Sequence, residues 1–230
     1  MYGGYLTRAG MKPGEVVVDI GTGRGELPVA AAQMGAAKAY GVEYSPAGVE
    51  LARHTIDAQG VGDRVEVLQA DARAMPLDDD LADLITLLDV VEHMAPAELE
   101  RALDEACRVL RPGGRVLVHT LPNRTIYTVT YRLQRWSRPG RWKSWPADPR
   151  NEYEHKMHVN EQTITKLRRS LRRAGFTNVN VSLGGWIVDH HVPNDRSKRL
   201  YRRLAAFRLT ARLGAADIWA TASKPASAGR

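Results

Sequence analysis

The feature that most constrains the fold is an apolar strand that ends at a run of alternating glycines. Val16–Val18 are β-branched, and an acid and three glycines follow at Asp19, Gly21, Gly23 and Gly25. This pattern predicts a buried strand that stops at a turn where the backbone passes close to a ligand, because glycine permits positive φ and close approach. The acid at the strand end, with no lysine in the loop, argues against a phosphate site. It favours a ligand with a cationic or hydroxyl-rich part.

Strand and helix patterns then alternate along most of the chain, which is typical of a parallel α/β sheet. The predicted strands cover residues 15–20, 39–43, 65–69, 84–88, 115–119, 178–183 and 216–223. The predicted helices cover residues 26–34, 46–59, 96–110 and 161–174, and the Arg-Pro-Gly-Gly run at 111–114 is expected to end the third of them. The length of 230 residues is compatible with one domain over 1–230.

Targeting signals and a disulfide framework are not expected. The chain has one cysteine, Cys107, and no apolar run of the length that spans a membrane. Its first residues carry neither a basic region nor an apolar core, so no signal peptide is predicted. These features predict a cytoplasmic protein.

Charge and tryptophan are unevenly distributed along the chain. Residues 1–122 hold 11 Lys or Arg and 19 Asp or Glu, whereas residues 123–230 hold 22 and 7 and all five tryptophans. This asymmetry suggests an anionic or membrane-facing partner for the second half. A solvated arginine-rich surface is the alternative.

Two stretches of the basic half interrupt the regular pattern. Residues 121–160 form an inserted segment that is too long for an ordinary connection and that we interpret as a lid. Its aromatic residues Tyr127, Tyr131, Trp136 and Trp142 are candidates for lining an acceptor pocket, or else form the small core of the lid. Residues 194–214 are predicted to form a basic amphipathic helix. This helix would lie on an anionic membrane or pack on the sheet, and contact with RNA phosphates is a less favoured alternative.

Acidic residues follow the second and third predicted strands. Glu43 comes 24 residues after Asp19, where a carboxylate can accept both hydroxyls of a ribose. Asp71 follows the third strand, where it can accept from an adenine amino group while Ala72 packs against the ring. The sequence therefore predicts a nucleoside site at this edge of the sheet.

Together, the glycine turn, these acids and the 111–114 run resemble the class I S-adenosylmethionine-dependent methyltransferases, in the branch that includes the ubiquinone-biosynthesis enzymes. The resemblance covers residues 12–120 and returns at 158–182 with the run HVNEQT…LRRAGF. It implies a Rossmann-like seven-stranded sheet of order 3-2-1-4-5-7-6, with strand 7 antiparallel and helices on both faces. It also implies S-adenosylmethionine as the cofactor.

The resemblance implies a role for each matching residue. The methionine moiety and the ribose side of the cofactor would be held by Asp19, Gly21, Gly23 and Gly25. Glu43 would bind the ribose hydroxyls, and the adenine would be contacted by Tyr44, Asp71 and Ala72. Asp89 would lie near the methionine amino group. The Asp89-Val90-Val91-Glu92-His93 run is also similar to the Glu-x-x-Glu-His motif of metal-dependent members, with Asp89 in place of the first Glu. A divalent ion on Asp89, Glu92 and His93 is therefore an alternative to a metal-free site.

For the reaction, His93 and His158 are the candidate general bases, since imidazole titrates near neutral pH. His93 packed under the lid in a structural role is the alternative. The expected reaction is methylation, most simply at oxygen, of a small, aromatic or lipid-like acceptor. The alternatives are an RNA 2′-O-methyltransferase with metal-assisted chemistry and a cofactor-binding protein without catalysis.

Overall fold

A computed structural model of the chain describes residues 2–136, 146, 148, 150–184 and 217–226. Its strands are β1 (Val16–Ile20), β2 (Lys38–Glu43), β3 (Val65–Gln69), β4 (Ala82–Leu88), β5 (Leu110–Thr120), β6 (Thr177–Leu183) and β7 (Ile218–Ser223). They form one sheet in the order β3-β2-β1-β4-β5-β7-β6. Only β7 is reversed, since it pairs antiparallel with both β5 and β6. The predicted strand order and direction are confirmed.

Helices cover both faces of this sheet. They are α1 (Tyr2–Arg8), α2 (Glu26–Gln33), α3 (Pro46–Gln59), α4 (Pro96–Val109), α5 (Tyr131–Trp136), α6 (Glu152–Met157) and α7 (Ile164–Arg173). Successive strand residues divide between two cores: Val17 and Leu84 pack with α1, α2 and α3, whereas Val18 and Ile85 pack with α4 and α7. Because side chains alternate along a strand, a strand that is apolar at every position must be buried on both faces. The run of three valines at Val16–Val18 in β1 is therefore explained by burial of the strand on both faces of the sheet.

Two predicted element starts differ from the structure by three residues or more. The strand expected over 115–119 begins at Leu110, which pairs with Ala82 across a register shift, and the backbone of Gly113 and Gly114 bonds to Lys224 beyond β7. The 111–114 run therefore belongs to a bulged strand and does not form a free turn. The helix expected from 161 begins at Ile164, because the Thr163 side chain accepts from the Lys166 amide and caps it.

The sequence pattern missed three short α-helices and one π-helix. α1 contains Gly3 and Gly4, which weaken helix propensity, and it is held by packing on the rest of the protein. In the inserted segment, a π-helix (Ile126–Thr130) leads into α5, and α6 follows. Trp142 and the predicted basic helix at 194–214 lie outside the described residues, so the predictions for them stay untested. In the described part of the chain, no helix is both long and apolar enough to cross a membrane.

Candidate active site

The turn after β1 packs tightly against the segment after β4. The amides of Gly21 and Thr22 both donate to the Val42 carbonyl at the end of β2, at 2.8 and 3.1 Å. Gly21 has φ +72°, and a Cβ there would lie 2.4 Å from a methyl carbon of Val90. Glycine is therefore required at position 21 by both conformation and space.

Glu43 joins this turn to the start of α3. One carboxylate oxygen accepts from the Gly23 amide at 2.9 Å, and the other accepts from the Ser45 amide at 2.8 Å. Gly23 has φ +52°, and no atom of the described residues comes within 4 Å of the position that its Cβ would take. The carboxylate is thus oriented before any ligand arrives, beside open space that a ligand can enter.

An open cleft of about 550 Å³ lies at this edge of the sheet, within the usual size range of small-molecule sites. Its lining consists of Ile20, Gly21, Val42, Glu43, Tyr44, Ala70, Asp71, Ala72, Arg73, Asp89, Val90, His93, Met94 and Glu98. Seven residues predicted from the sequence are among them: Gly21, Glu43, Tyr44, Asp71, Ala72, Asp89 and His93. The carboxyl ends of the parallel strands bring these residues together, as expected for an open α/β sheet.

Three of the residues predicted to bind the cofactor are absent from that lining, namely Asp19, Gly23 and Gly25. The Asp19 carboxylate is buried behind the turn and accepts from the Thr86 hydroxyl at 2.6 Å. Burial raises the pKa of Asp19 to about 6, although the hydroxyls of Thr86 and Thr22 favour its charged form. In this position Asp19 organises the strand ends from behind, and direct contact with a ligand stays a prediction.

Asp71 is held by an arginine that the sequence pattern did not single out. Arg73 donates to both Asp71 oxygens, at 2.8 and 2.5 Å, and also bonds to Glu98 at 2.7 Å. These hydrogen bonds lower the pKa of the Asp71 carboxyl. Arg73 therefore keeps Asp71 ionised and oriented on one wall of the cleft.

On the opposite wall, Asp89 has a positive φ of 56°, which is unusual for a residue with a Cβ. Its amide donates to the His119 carbonyl at 3.0 Å, and its carboxylate lies 2.8 Å from His119 Nδ1. The other ring nitrogen of His119 is 3.1 Å from Asp217. Burial opposes a charge on this ring, but the two carboxylates outweigh it and raise the pKa of His119 to about 9.

Two tyrosines of α1 belong to the same region and were missed by the sequence pattern. The Tyr5 ring packs on Trp219 and His119, with centroid distances of 5.3 and 6.2 Å. Burial, a hydrogen bond to Glu26 and the nearby Asp19 raise the pKa of Tyr2 to about 12. No periodicity signals this arrangement, because α1 and β7 lie at opposite ends of the chain.

The two candidate bases are neighbours. His93 Nδ1 is 2.9 Å from the Met157 carbonyl, and the His93 and His158 rings are 5.1 Å apart between centroids. A carbonyl can only accept, so Nδ1 carries the proton and Nε2 is the acceptor of the neutral ring. The inserted segment thus fixes the tautomer of His93.

The three residues named as alternative metal ligands do not form a metal site. Asp89 faces His119, and His93 contacts the Met157 carbonyl, whereas Glu92 is buried and accepts from the Thr120 hydroxyl at 2.8 Å. Burial raises the pKa of the Glu92 carboxyl, which disfavours the ionised form that a metal needs. Among the described residues, no three His, Cys, Asp or Glu side chains form a metal site. The donor set therefore does not fit a divalent ion.

Comparison with known proteins identifies the family. The model of a methyltransferase domain matches residues 17–114. The ubiquinone/menaquinone biosynthesis C-methyltransferase UbiE of Hahella chejuensis is 26% identical over 171 residues, which cover 70% of this chain and 68% of that protein. The demethylmenaquinone methyltransferase of Thermus thermophilus is 34% identical over 107 residues, 46% of this chain and 47% of that protein. These matches support a class I S-adenosylmethionine-dependent methyltransferase that resembles UbiE.

Solved structures share the fold of this methyltransferase. Phosphoethanolamine N-methyltransferase 2 of Haemonchus contortus, in complex with phosphomonomethylethanolamine and S-adenosylhomocysteine, has a TM-score of 0.69 and 18% identity; the match covers 97% of this chain and 52% of that one. The [4+2]-cyclase SpnF has a TM-score of 0.67 and 20% identity, covering 98% of this chain and 80% of the cyclase. At these identities the likeness concerns the fold alone. The acceptor must be inferred from the site.

Of the predicted acceptor-lining aromatics of the methyltransferase, the three that the structure describes are absent from the cleft lining. Tyr127 is half-buried with the Arg150 guanidinium 5.4 Å from its ring centre, and the Tyr131 hydroxyl donates to the Pro146 carbonyl at 2.8 Å. Trp136 is 83% exposed. In these positions Tyr127 and Tyr131 contact other parts of the inserted segment, and the acceptor role of all four aromatics stays a prediction.

The contacts of His119 with Asp89 and Asp217 indicate that the stability of the protein depends on pH. The pKa of His119 is about 9 in the folded protein against an ordinary value of 6.5, so the stabilisation is complete below pH 6.5 and is lost as the pH rises through 9. We expect a loss of up to roughly 3 kcal/mol over this window. Urea unfolding at pH 6 to 9.5 measures it, and in His119→Gln the slope should be absent.

The Tyr5 side chain, which faces the His119 ring, does not produce this dependence of stability on pH. Burial and the nearby Asp89 and Asp217 raise the pKa of Tyr5, so its phenol stays neutral in this range. The Arg8 guanidinium also lies beside this group of rings, 4.3 Å from the Trp219 ring centre. An equal slope in wild type and His119→Gln would contradict the assignment.

Proposed function

We propose that the methyltransferase acts on a hydroxyl-bearing aromatic acceptor of the phenol or quinol class. The observation that carries this proposal is His93 on the cleft lining, with Nδ1 bound to the Met157 carbonyl and Nε2 left as an acceptor. A neutral imidazole suits the removal of a phenolic proton, whereas an aliphatic hydroxyl needs a stronger base. His158 beside it is the second candidate for this role.

The cofactor roles rest on the fit between the cleft and a nucleoside with a charged amino acid tail. Glu43 is oriented by two amides beside open space, Asp71 is kept ionised by Arg73, and Asp89 lines the opposite wall. We assign Glu43 to the ribose hydroxyls, Asp71 to the adenine amino group and Asp89 to the methionine ammonium. When bound, S-adenosylmethionine supplies a methyl group on a sulfonium, which is a good leaving group.

The chain's own contribution to the reaction is then positioning, proton removal and exclusion of water. The inserted segment supports the last of these, because Met157 and His158 lie against His93. We therefore propose that this segment closes over the acceptor.

A phenolate can be methylated at oxygen or at the ring carbon beside it, and the same base can remove the hydroxyl proton in both cases. Methylation at carbon first gives a dienone, whose ring C–H proton must then leave, to the base or to solvent, to restore the aromatic ring. From the sequence, methylation at oxygen is the expected outcome. The relatives named as C-methyltransferases support carbon, and we propose the ring carbon for this reason. The membrane contact of residues 194–214 is a separate proposal, which co-sedimentation with anionic vesicles at low salt would test.

The acceptor class can be tested with ¹³C-methyl-labelled S-adenosylmethionine. The protein is incubated with a reduced naphthoquinol, with catechol and, separately, with lipid, small-molecule and RNA fractions of a bacterial extract. We expect label in the quinol and the lipid or small-molecule fraction, with the chemical shift of a methyl group on carbon. Label confined to RNA would overturn the proposal, and a methyl group on oxygen would reject only the carbon assignment.

His93→Ala should lower kcat by about a hundredfold or more with the accepted quinol, because it removes the general base. The affinity for S-adenosylhomocysteine should stay within about threefold, since His93 is not assigned to the cofactor. The matched control is His54→Ala, an exposed histidine on α3 that does not line the cleft. Unchanged kcat in His93→Ala would exclude it as the base.

A further inference from the structure

His119 holds Asp89 at two points. Its main-chain carbonyl accepts from the Asp89 amide at 3.0 Å, and its ring Nδ1 lies 2.8 Å from the Asp89 carboxylate. One residue at the end of β5 therefore fixes both the backbone and the side chain of a residue after β4. The sheet makes this possible, because Leu88 pairs with His119.

Asp89 needs such support. Its φ of 56° lies in the left-handed region, which costs free energy for a residue with a Cβ and persists only where the surroundings hold it. Its side chain is half exposed on the cleft wall, so packing alone does not restrict the carboxylate. The ring of His119 is the contact that limits its rotation.

The His119 ring is itself immobilised from several sides. Trp219 and Tyr5 pack against it, with centroid distances of 4.1 and 6.2 Å. Asp217 binds the second ring nitrogen and also accepts from the Trp219 indole at 2.8 Å. β7 and α1 thus hold the ring, and the ring in turn holds Asp89.

We propose that His119 is a positioning residue that aims the Asp89 carboxylate at the amino group of the cofactor. This inference rests on the proposed function, because it requires Asp89 to bind that amino group. The residue acts through Asp89 alone, so its effect should be confined to ligands that carry an amino acid tail. The adenine and ribose contacts of Asp71 and Glu43 lie on other strands.

Two substitutions test the two nitrogen atoms of the His119 ring separately. The amide nitrogen of Asn stands where His has Nδ1, so His119→Asn keeps a donor toward Asp89. The amide nitrogen of Gln stands where His has Nε2, so His119→Gln keeps a donor toward Asp217 instead. Calorimetry then compares S-adenosylhomocysteine with 5′-methylthioadenosine, which has the same nucleoside but no amino acid tail.

We expect His119→Gln to weaken S-adenosylhomocysteine binding about tenfold, because the charge pair with Asp89 is lost, and His119→Asn to weaken it about threefold or less. Both should bind 5′-methylthioadenosine within about twofold of wild type, because the tail contact is absent there. Equal losses in the two variants, or a parallel loss of 5′-methylthioadenosine, would mean that His119 only supports the fold.

Asp89→Asn separates failure of this inference from failure of the proposed function. If it binds S-adenosylhomocysteine like wild type, Asp89 does not contact the amino group and the functional assignment fails. If Asp89→Asn loses affinity while both His119 variants retain it, only the positioning role fails. Where a variant does not fold, the ¹⁵N signal of His119 Nδ1 in the wild type decides: it should shift with S-adenosylhomocysteine but not with 5′-methylthioadenosine.

Discussion

Replacement of Glu43 by alanine should weaken S-adenosylhomocysteine binding by at least about a hundredfold. The change removes the proposed acceptor of both ribose hydroxyls, and one hydrogen bond to a charged group contributes about 1.5–3 kcal/mol. It also releases the amides of Gly23 and Ser45, which the carboxylate orients at 2.9 and 2.8 Å. Titration calorimetry with the purified protein measures the loss directly.

Two further variants control this result. Glu43→Gln keeps one oxygen acceptor but loses the charge, so its affinity should fall between those of wild type and Glu43→Ala. Glu66→Ala removes an exposed acid from the neighbouring strand β3, where Glu66 pairs with Lys38 at 3.5 Å, and should leave binding unchanged. Wild-type affinity in Glu43→Ala would reject the ribose role.

The second large effect is expected for Gly21→Ala. The new methyl group would meet Val90 at 2.4 Å, and the φ of +72° is unfavourable for alanine. Overpacking and backbone strain each cost about 1–3 kcal/mol, so the free energy of unfolding should fall by roughly 3 kcal/mol. Cofactor affinity should fall with it, because the turn that lines the cleft must shift.

The two causes can be separated. Gly60→Ala is a matched control, since Gly60 has φ +63° but no atom within 4 Å of the added carbon, so it should show only the strain of about 1 kcal/mol. Adding Val90→Ala to Gly21→Ala removes the methyl groups that clash and should restore part of the stability. Urea unfolding measures wild type, Gly21→Ala, Val90→Ala, the double variant and Gly60→Ala, and additive losses in the double variant would contradict a clash with Val90.

The local sequence predicted the parts of the site that lie within single strand–turn segments. Glycines at 21, 23 and 25 and acids at the ends of β1, β2 and β4 are readable because strand ends in a parallel sheet share one edge. Strand order followed from the resemblance to a family. The element boundaries at Leu110 and Ile164 were wrong, because a bulge and a side-chain cap, rather than the residue pattern, decide where these elements start.

What the sequence determined by itself is one edge of the sheet: a buried first strand, a glycine turn after it, and carboxylates at the ends of neighbouring strands. Only the tertiary structure decided how these carboxylates are held. Arg73 orients Asp71, and His119, 98 residues before Asp217, joins Asp89 to β7. The tertiary structure also placed the Glu92 carboxylate against the Thr120 hydroxyl, so that among the described residues it forms no metal site with Asp89 and His93. The physical reason is the sequence separation between interacting residues. A strand and its turn are set by neighbouring residues, whereas an ion pair depends on distant segments packing together.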